Sequence, residues 1–333
     1  MFRKVCIYGV GAIGGWMAAR LAALPQVALG AVARGATLTA LRTRGLGLRD
    51  QDAHGVERET RHPIAASDDP AALGPQDLVI VAVKGPALAD VAARIAPLLA
   101  PHTVVLTAMN GVPWWFLQGV GGDCMGQRLH SVDPQGVIER GVPLHHVVGC
   151  VVHASCSVDE PGVVRHRLGN ELIVGEPSGQ LGQRLHGLRA LLCQAGFEVV
   201  ISPQIQKDIW YKLWGNMTIN PMSALTGATA DRILDDDLAR EFASRVMLEA
   251  QHIGARLGLP IADTPDDRHQ VTRKLGALKP SMLQDVLAGK AVEIDALVSS
   301  VRELGRLTGV ATPFTDALLG LARVHARQLG LYS

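Results

Sequence analysis

Lys4-Val-Cys-Ile-Tyr-Gly-Val-Gly-Ala-Ile-Gly14 runs directly into Gly15-Trp-Met-Ala-Ala-Arg-Leu-Ala-Ala-Leu24. Residues 4–8 form a short, β-prone apolar run, and residues 15–24 are good helix sequence. Strand, then G-x-G-x-x-G, then helix is the context in which this motif cradles a dinucleotide. Gly9 permits the tight turn, Gly11 lets the backbone approach a pyrophosphate, and Gly14 lets helix and strand pack closely. Val10, Ala12 and Ile13 complete the loop. The helix N-terminus offers unbonded N–H groups and a partial positive charge to phosphates. The stretch predicts an α/β fold that begins with a Rossmann-like dinucleotide-binding domain.

Working outward, residues 27–33 read as a second strand, ending in Arg34. NAD-selective sites usually carry Asp or Glu about 20 residues beyond the glycines, bonding the ribose 2′-OH. A guanidinium there favours a 2′-phosphate, so NADPH is the expected cofactor. The alternative is an ordinary exposed arginine at a strand end. Residues 40–69 are polar and turn-rich, suiting short strands and a crossover. Residues 77–83 are the clearest buried strand, with Lys84 at the carboxyl end, where open α/β sheets bind ligands. A strand at 103–108 ends in Met109-Asn110-Gly111, so Lys84 and Asn110 are expected on one rim beside the phosphate loop. Strands follow at 147–153, 162–168 and 171–174, the last two flanking Gly169-Asn170, a hairpin dipeptide. A helix at 180–195 and a strand at 197–201 complete this half.

After Ser202-Pro203 the composition turns helical, which predicts a dinucleotide-binding domain over 1–202 and an all-helical domain over 203–333. The second opens on Trp210-Tyr-Lys-Leu-Trp-Gly-Asn-Met-Thr-Ile-Asn-Pro221. Lys212, Asn216 and Asn220 recur every four residues, a spacing that stacks side chains on one helix face. An ammonium and two amides inside an apolar helix cost desolvation energy unless paired. One reading is a polar stripe satisfied by neighbouring backbone; the other is a substrate-facing row with Lys212 as proton donor. Pro221 removes a backbone donor, so the helix is predicted to kink or end there. Further helices are expected around 239–257, 264–278, 281–288, 292–309 and 312–329.

The 333 residues carry a formal net charge of +1, with a mean hydropathy of +0.19 and a pI near 7.8. No basic surplus points to nucleic acid or an anionic membrane surface. No apolar run reaches the roughly 18–20 residues that cross a bilayer. The N-terminal stretch turns from basic to apolar, but its apolar run is too short for a signal peptide. Five scattered cysteines without a C-x-x-C pair suit free thiols in a reducing, cytosolic compartment. The twelve histidines show no metal-ligand spacing on a clear helix, so no metal site is expected.

In sequence order, the glycine motif, Lys84, Asn110-Gly111, Lys212-x-x-x-Asn216-x-x-x-Asn220-Pro221, Ser281-Met-Leu-Gln-Asp285 and Glu293-Ile-Asp295 resemble the ketopantoate reductases (2-dehydropantoate 2-reductases). The resemblance covers nearly the whole chain, and its lysine/asparagine row is more specific than the glycine motif. It implies a Rossmann domain and a helical domain with the active site in the cleft. It also implies NADPH-dependent reduction of 2-dehydropantoate, a 2-keto acid, to (R)-pantoate in pantothenate and coenzyme A synthesis. Carried over, Lys212 resembles the general acid, and Glu293 the partner that orients the substrate hydroxyl and the lysine. Asn110, Asn216, Asn220 and Ser281 resemble substrate ligands, Asn110 also standing at the cofactor. Lys84 resembles a bridge between cofactor and active site, and Arg34 the 2′-phosphate clamp.

The segment between Asn110-Gly111 and the strand at 147 is longer than the family usually has, and it carries Trp114-Trp115-Phe116. Two readings stand: these aromatics line the pocket and favour a bulkier 2-keto acid, or they anchor the loop or a subunit contact. Helical faces of the second domain could support a homodimer. Competing identities are a β-hydroxyacid or 6-phosphogluconate-type dehydrogenase, which usually has a Lys-x-x-Asn pair instead of a four-residue spacing, and a non-catalytic NADPH-binding paralogue. The joint presence of Lys212 and Glu293 argues against the paralogue.

Overall fold

The computed structural model describes residues 2–51, 55–274 and 276–333. The chain forms two compact units, one of Met1–Met109 with Gly136–Ile205, the other of Asn110–Gln135 with Gln206–Ser333. The division predicted at 202/203 therefore differs chiefly in residues 110–135, which fold with the helices.

The first unit begins as its sequence dictates: β1 (Lys4–Tyr8), α1 (Ala12–Ala22), β2 (Ala28–Val32), α2 (Gly35–Arg44), β3 (Leu46–Gln51), β4 (Glu57–His62), β5 (Ala65–Ser67), β6 (Leu78–Val81), α3 (Leu88–Arg94) and β7 (Val104–Ala108). After the excursion into the second unit come α4 (Val137–Gly141), β8 (Val147–Glu160), β9 (Val163–Gly175), α5 (Gln183–Gln194) and β10 (Glu198–Ile201). One sheet runs β4-β3-β9-β8-β7-β6-β1-β2-β5, with β10 also on β9. The chain builds from β1 outward to β2 and β5, then returns to β6 on the other side of β1. That reversal is the topological switch point, where open α/β sheets hold ligands beyond the carboxyl ends of their strands. Leu78-Val-Ile-Val81 is buried on both faces because parallel neighbours flank it and helices cover it.

β8 and β9 are longer than the three strands expected from 147 to 174. They pair antiparallel, and their connection is Pro161-Gly162. Gly169-Asn170 lies inside β9 and is not a hairpin turn. The register passes from His153↔Glu171 to Ser155↔Leu168, so two residues of β9 oppose one of β8. Gly169 has φ +77°, and a Cβ there would come within 2.3 Å of the His153 carbonyl oxygen. The dipeptide thus supplies the left-handed backbone of a β-bulge. The five cysteines are free; burial pushes the Cys6 thiol up to about 12, which keeps it inert.

The second unit contains α6 (Ile205–Thr226, its first residue counted with the other unit), α7 (Ala230–Asp235), α8 (Asp237–Arg256), α9 (Pro265–Arg273), α10 (Ser281–Leu287), a π-turn at Asp295–Ser299 leading into α11 (Ser300–Thr308), and α12 (Pro313–Gln328). α6 neither ends nor breaks at Pro221 but runs on to Thr226. The lost donor costs one backbone bond, and burial of Met222, Ser223 and Ala224 carries the helix past it. The Trp214 indole donates to the Met247 carbonyl at 2.8 Å, tying α6 to α8. The buried Glu249 carboxylate accepts from the Phe314 and Thr315 amides at 2.8 and 2.9 Å and so caps α12. Among the described residues, no helix is long and apolar enough to cross a membrane.

Trp114, Trp115 and Phe116 are 5%, 1% and 0% exposed. Phe116 lies 5.9 Å from the Trp210 ring of α6, centroid to centroid. Surface this deeply covered lines no pocket, so the aromatics anchor their segment to the helices. Glu303 finishes the attachment by accepting from the His130 and Ser131 amides at 2.7 and 2.8 Å. Phe116→Ala is expected to cost about 3–5 kcal/mol, as for other fully buried aromatics, measured by urea unfolding. A loss below about 1 kcal/mol, the scale of an ordinary surface change, would contradict the anchoring role.

Candidate functional site

The first unit holds a cavity of about 290 Å³ at the switch point, lined by residues that include Tyr8, Gly9, Val10, Gly11, Arg34, Thr37 and Asp90. β1 delivers Tyr8 and the glycines, β2 delivers Arg34, and α3 delivers Asp90. Gly9, at φ +98°, leaves no room for a side chain, since a Cβ would meet Val83 at 2.6 Å. Gly14 leaves none either, with the Gly9 carbonyl oxygen 2.0 Å from a built Cβ. A Cβ on Gly11 would meet nothing within 4 Å, so at the N-cap of α1 the backbone faces open space. No side chain caps α1, and no acid stands in its first turn. Uncapped amides, open space over Gly11 and a guanidinium at the β2 end fit a dinucleotide with its pyrophosphate on α1.

Of the residues singled out from sequence, Gly9, Val10, Gly11 and Arg34 line this cavity, and Ala12, Ile13 and Gly14 form the first turn of α1 behind it. Lys84 caps a short 3₁₀ turn, Gly85–Ala87, after β6, and is not among the lining residues. Arg34 is paired with Asp90, and the Asp90 carboxylate holds Arg34 above its ordinary pKa. Sequence reasoning missed Asp90, Tyr8 and Thr37. Asp90 sits 56 positions beyond Arg34 with no motif around it, and only the β1–β6 reversal brings the two together.

The second unit gathers the other group. Lys212 Nζ donates to Asn110 Oδ1 at 2.9 Å. One turn along α6 stands Asn216, and one further stands Asn220, which is 5% exposed. Asn220 Nδ2 donates to Ser281 Oγ, at the start of α10, at 3.3 Å. Asn110 is held in turn by the π-turn. The Val112 amide donates to the Ala296 carbonyl at 2.8 Å, and Ser300 Oγ donates to the same oxygen at 2.9 Å. Gly111, at φ +82°, lets this approach happen, since a Cβ would come within 2.6 Å of the Ala296 oxygen. Glu293 precedes the same turn, and its carbonyl accepts from the Leu297 amide at 3.3 Å. The structure therefore unites Asn110 with Lys212 and Asn220 with Ser281, and sets Glu293 three residues before the carbonyl on which Asn110-Gly111-Val112 rests. Lys84 belongs to the first unit and Asn110 to the second.

Such a wall can grip a small polyoxygenated anion. It offers an ammonium, amides and a hydroxyl, with apolar helix behind them. The π-turn gave no sequence signal, although such widened turns are frequent at functional sites. Among the described residues, no group of three or more His, Cys, Asp or Glu is arranged to hold a metal.

Residues 5–179 match the family model Ketopantoate reductase PanE/ApbA, and residues 204–326 match its C-terminal counterpart. The chain belongs to the ketopantoate reductase family. This is an oxidoreductase family with an NAD(P)-binding fold. A 2-dehydropantoate 2-reductase of Mesorhizobium japonicum is 44% identical over 330 residues, covering 99% of this chain and 100% of its own. The crystal structure of a Ralstonia solanacearum MolK2 protein assigned as a ketopantoate reductase shares 53% identity at a TM-score of 0.92, with 100% of both chains covered. The 2-dehydropantoate 2-reductase of Geobacter metallireducens GS-15 gives 26% identity and a TM-score of 0.81, covering 96% of this chain and 98% of its own. The family's two parts thus correspond to the sheet and helical segments of this chain.

Gly111→Ala combines a left-handed backbone with a blocked approach to Ala296. Gly122, in the same unit at φ +49°, has nothing within 4 Å of a built Cβ and isolates the backbone term. Gly122→Ala is expected to cost about 1–2 kcal/mol, and Gly111→Ala about 1–3 kcal/mol more, by urea unfolding. Equal losses would show that Gly111 is not needed for the contact with the π-turn.

Proposed function

We propose that this protein reduces 2-dehydropantoate to (R)-pantoate with NADPH, in pantothenate and coenzyme A biosynthesis. The observation that carries the reading is the Lys212 ammonium donating at 2.9 Å to Asn110, on the helix face that also presents Asn216 and Asn220. NADPH, when bound, supplies the hydride that adds to the ketone carbon of the substrate.

Hydride addition leaves negative charge on the ketone oxygen. The Lys212 ammonium stabilises that charge and gives up one N–H proton to it, forming the hydroxyl; such a positioned acid contributes roughly 10²- to 10⁴-fold. The resulting amine regains its proton from water. Asn110 accepts from the ammonium and fixes its direction before substrate arrives. Asn216, Asn220 and Ser281 offer neutral donors to the substrate's carboxylate and hydroxyl, at lower desolvation cost than another buried charge. Glu293 is assigned to the substrate hydroxyl and to keeping Lys212 charged, since a nearby carboxylate favours an ammonium. Gly9–Gly14 and Arg34 are assigned to the pyrophosphate and 2′-phosphate, and Lys84 to bridging cofactor and active site. Action in the cytoplasm as a homodimer belongs to the same reading, with Leu321 and Val324, 62% and 68% exposed on α12, as a candidate contact face.

The test is NADPH consumption by the purified protein with 2-dehydropantoate, beside a panel of bulkier 2-keto acids. The expected result is the highest kcat/KM for 2-dehydropantoate. Turnover confined to a bulkier acid would reassign the substrate and keep the chemistry, and no turnover with any 2-keto acid would overturn the proposal.

A further inference from the structure

We infer that Asp90 sets the balance between NADPH and NADH by competing with the cofactor's 2′-phosphate for Arg34. The inference rests on the proposed cofactor role of Arg34 and concerns a residue that role does not include.

Arg34 and Asp90 face each other at the cavity, from the end of β2 and the first turn of α3. Their side chains are 57% and 47% exposed, so the pair is reachable by a ligand. An ion pair this exposed contributes little stability, and a phosphate can displace the carboxylate from the guanidinium at small cost. The displaced carboxylate nevertheless stays at the rim. A 2′-phosphate that takes its place meets an anion at short range, and like charges in a partly desolvated cavity repel. A ribose 2′-OH meets a hydrogen-bond acceptor instead, the chemistry by which acidic residues select NADH. Arg34 alone reads as an NADPH clamp; Arg34 with Asp90 reads as a clamp with its own resident competitor.

Two neighbours complete the environment. Tyr8 is 3% exposed, and its hydroxyl is buried beside the cavity with no partner in hydrogen-bonding geometry. Burial of a phenol is tolerated where a ligand completes the bond. Arg94, one turn beyond Asp90, donates to the Asp68 carbonyl at 2.7 Å, and its charge also acts on the Tyr8 phenol. Beside Tyr8 the Arg34 cation thus stands against the Asp90 anion, with Arg94 as a second cation whose charge reaches the phenol.

The test measures dissociation constants of NADPH and NADH, by quenching of protein fluorescence, for the wild type, Asp90→Asn and Arg34→Ala. Asparagine keeps the shape and removes the charge. Asp90→Asn is expected to tighten NADPH by roughly 3- to 10-fold while NADH is unchanged or weaker. Arg34→Ala is expected to weaken NADPH by roughly 10-fold or more and to spare NADH. If Asp90→Asn leaves the NADPH-to-NADH ratio at its wild-type value while Arg34→Ala lowers it, Asp90 is no competitor and the clamp stands. If Arg34→Ala leaves the ratio unchanged, the clamp fails and the inference with it.

Discussion

An ammonium drawn partly out of water needs a fixed acceptor, and in this protein Lys212 finds it in Asn110 at 2.9 Å. The helical unit is arranged so that this contact is made. α6 supplies the lysine from a helix whose opposite side is packed by Trp210, Trp214 and Met217. Asn110 comes from a segment more than 100 residues earlier, held by a glycine that allows its backbone onto Ala296 and by aromatics sunk beside α6. Without those anchors, the asparagine would hang on a loop and the ammonium would lose this fixed acceptor. The length of the 110–135 segment thus serves attachment. Its aromatic weight goes into holding one amide in place.

The sheet unit answers a different constraint, the approach of a polyanion to backbone. Reversal of strand order at β1 opens a crevice beyond the carboxyl ends of β1, β2 and β6, and Gly11 leaves the backbone at its floor open. Arg34 and Asp90 place a paired cation and anion on its wall, the pair on which the proposed choice between dinucleotides rests. Each unit therefore combines a backbone device, a glycine where no Cβ fits, with a single well-placed cation.

Much of this was legible in the sequence because the chemistry recurs at short spacing. The glycine motif fixed β1, the turn and α1, and the four-residue spacing of Lys212, Asn216 and Asn220 fixed a helix face. Readings failed where a local signal had two structural outcomes. Gly169-Asn170 supplies left-handed backbone, which suits a hairpin turn and a bulge equally; the continuous pairing of β8 with β9 decided for the bulge. Pro221 was tolerated because packing around Met222 and Ala224 outweighs one lost backbone bond. Features that depend on long-range contact left no trace. Asp90 has no pattern around it, the π-turn after Glu293 reads as ordinary helix, and the allegiance of residues 110–135 to the helices is settled by tertiary burial of Phe116.

The central claim is that Lys212 donates the proton to the reduced ketone, and kinetics of Lys212→Ala with 2-dehydropantoate, paired with NADPH binding, tests it most directly. The account predicts a kcat lower by roughly 10²-fold or more, with an NADPH dissociation constant near that of the wild type, because Gly9–Gly14 and Arg34, the residues proposed for the pyrophosphate and 2′-phosphate, lie in the other unit. A kcat within a few-fold of wild type would contradict it and remove Lys212 from the chemistry.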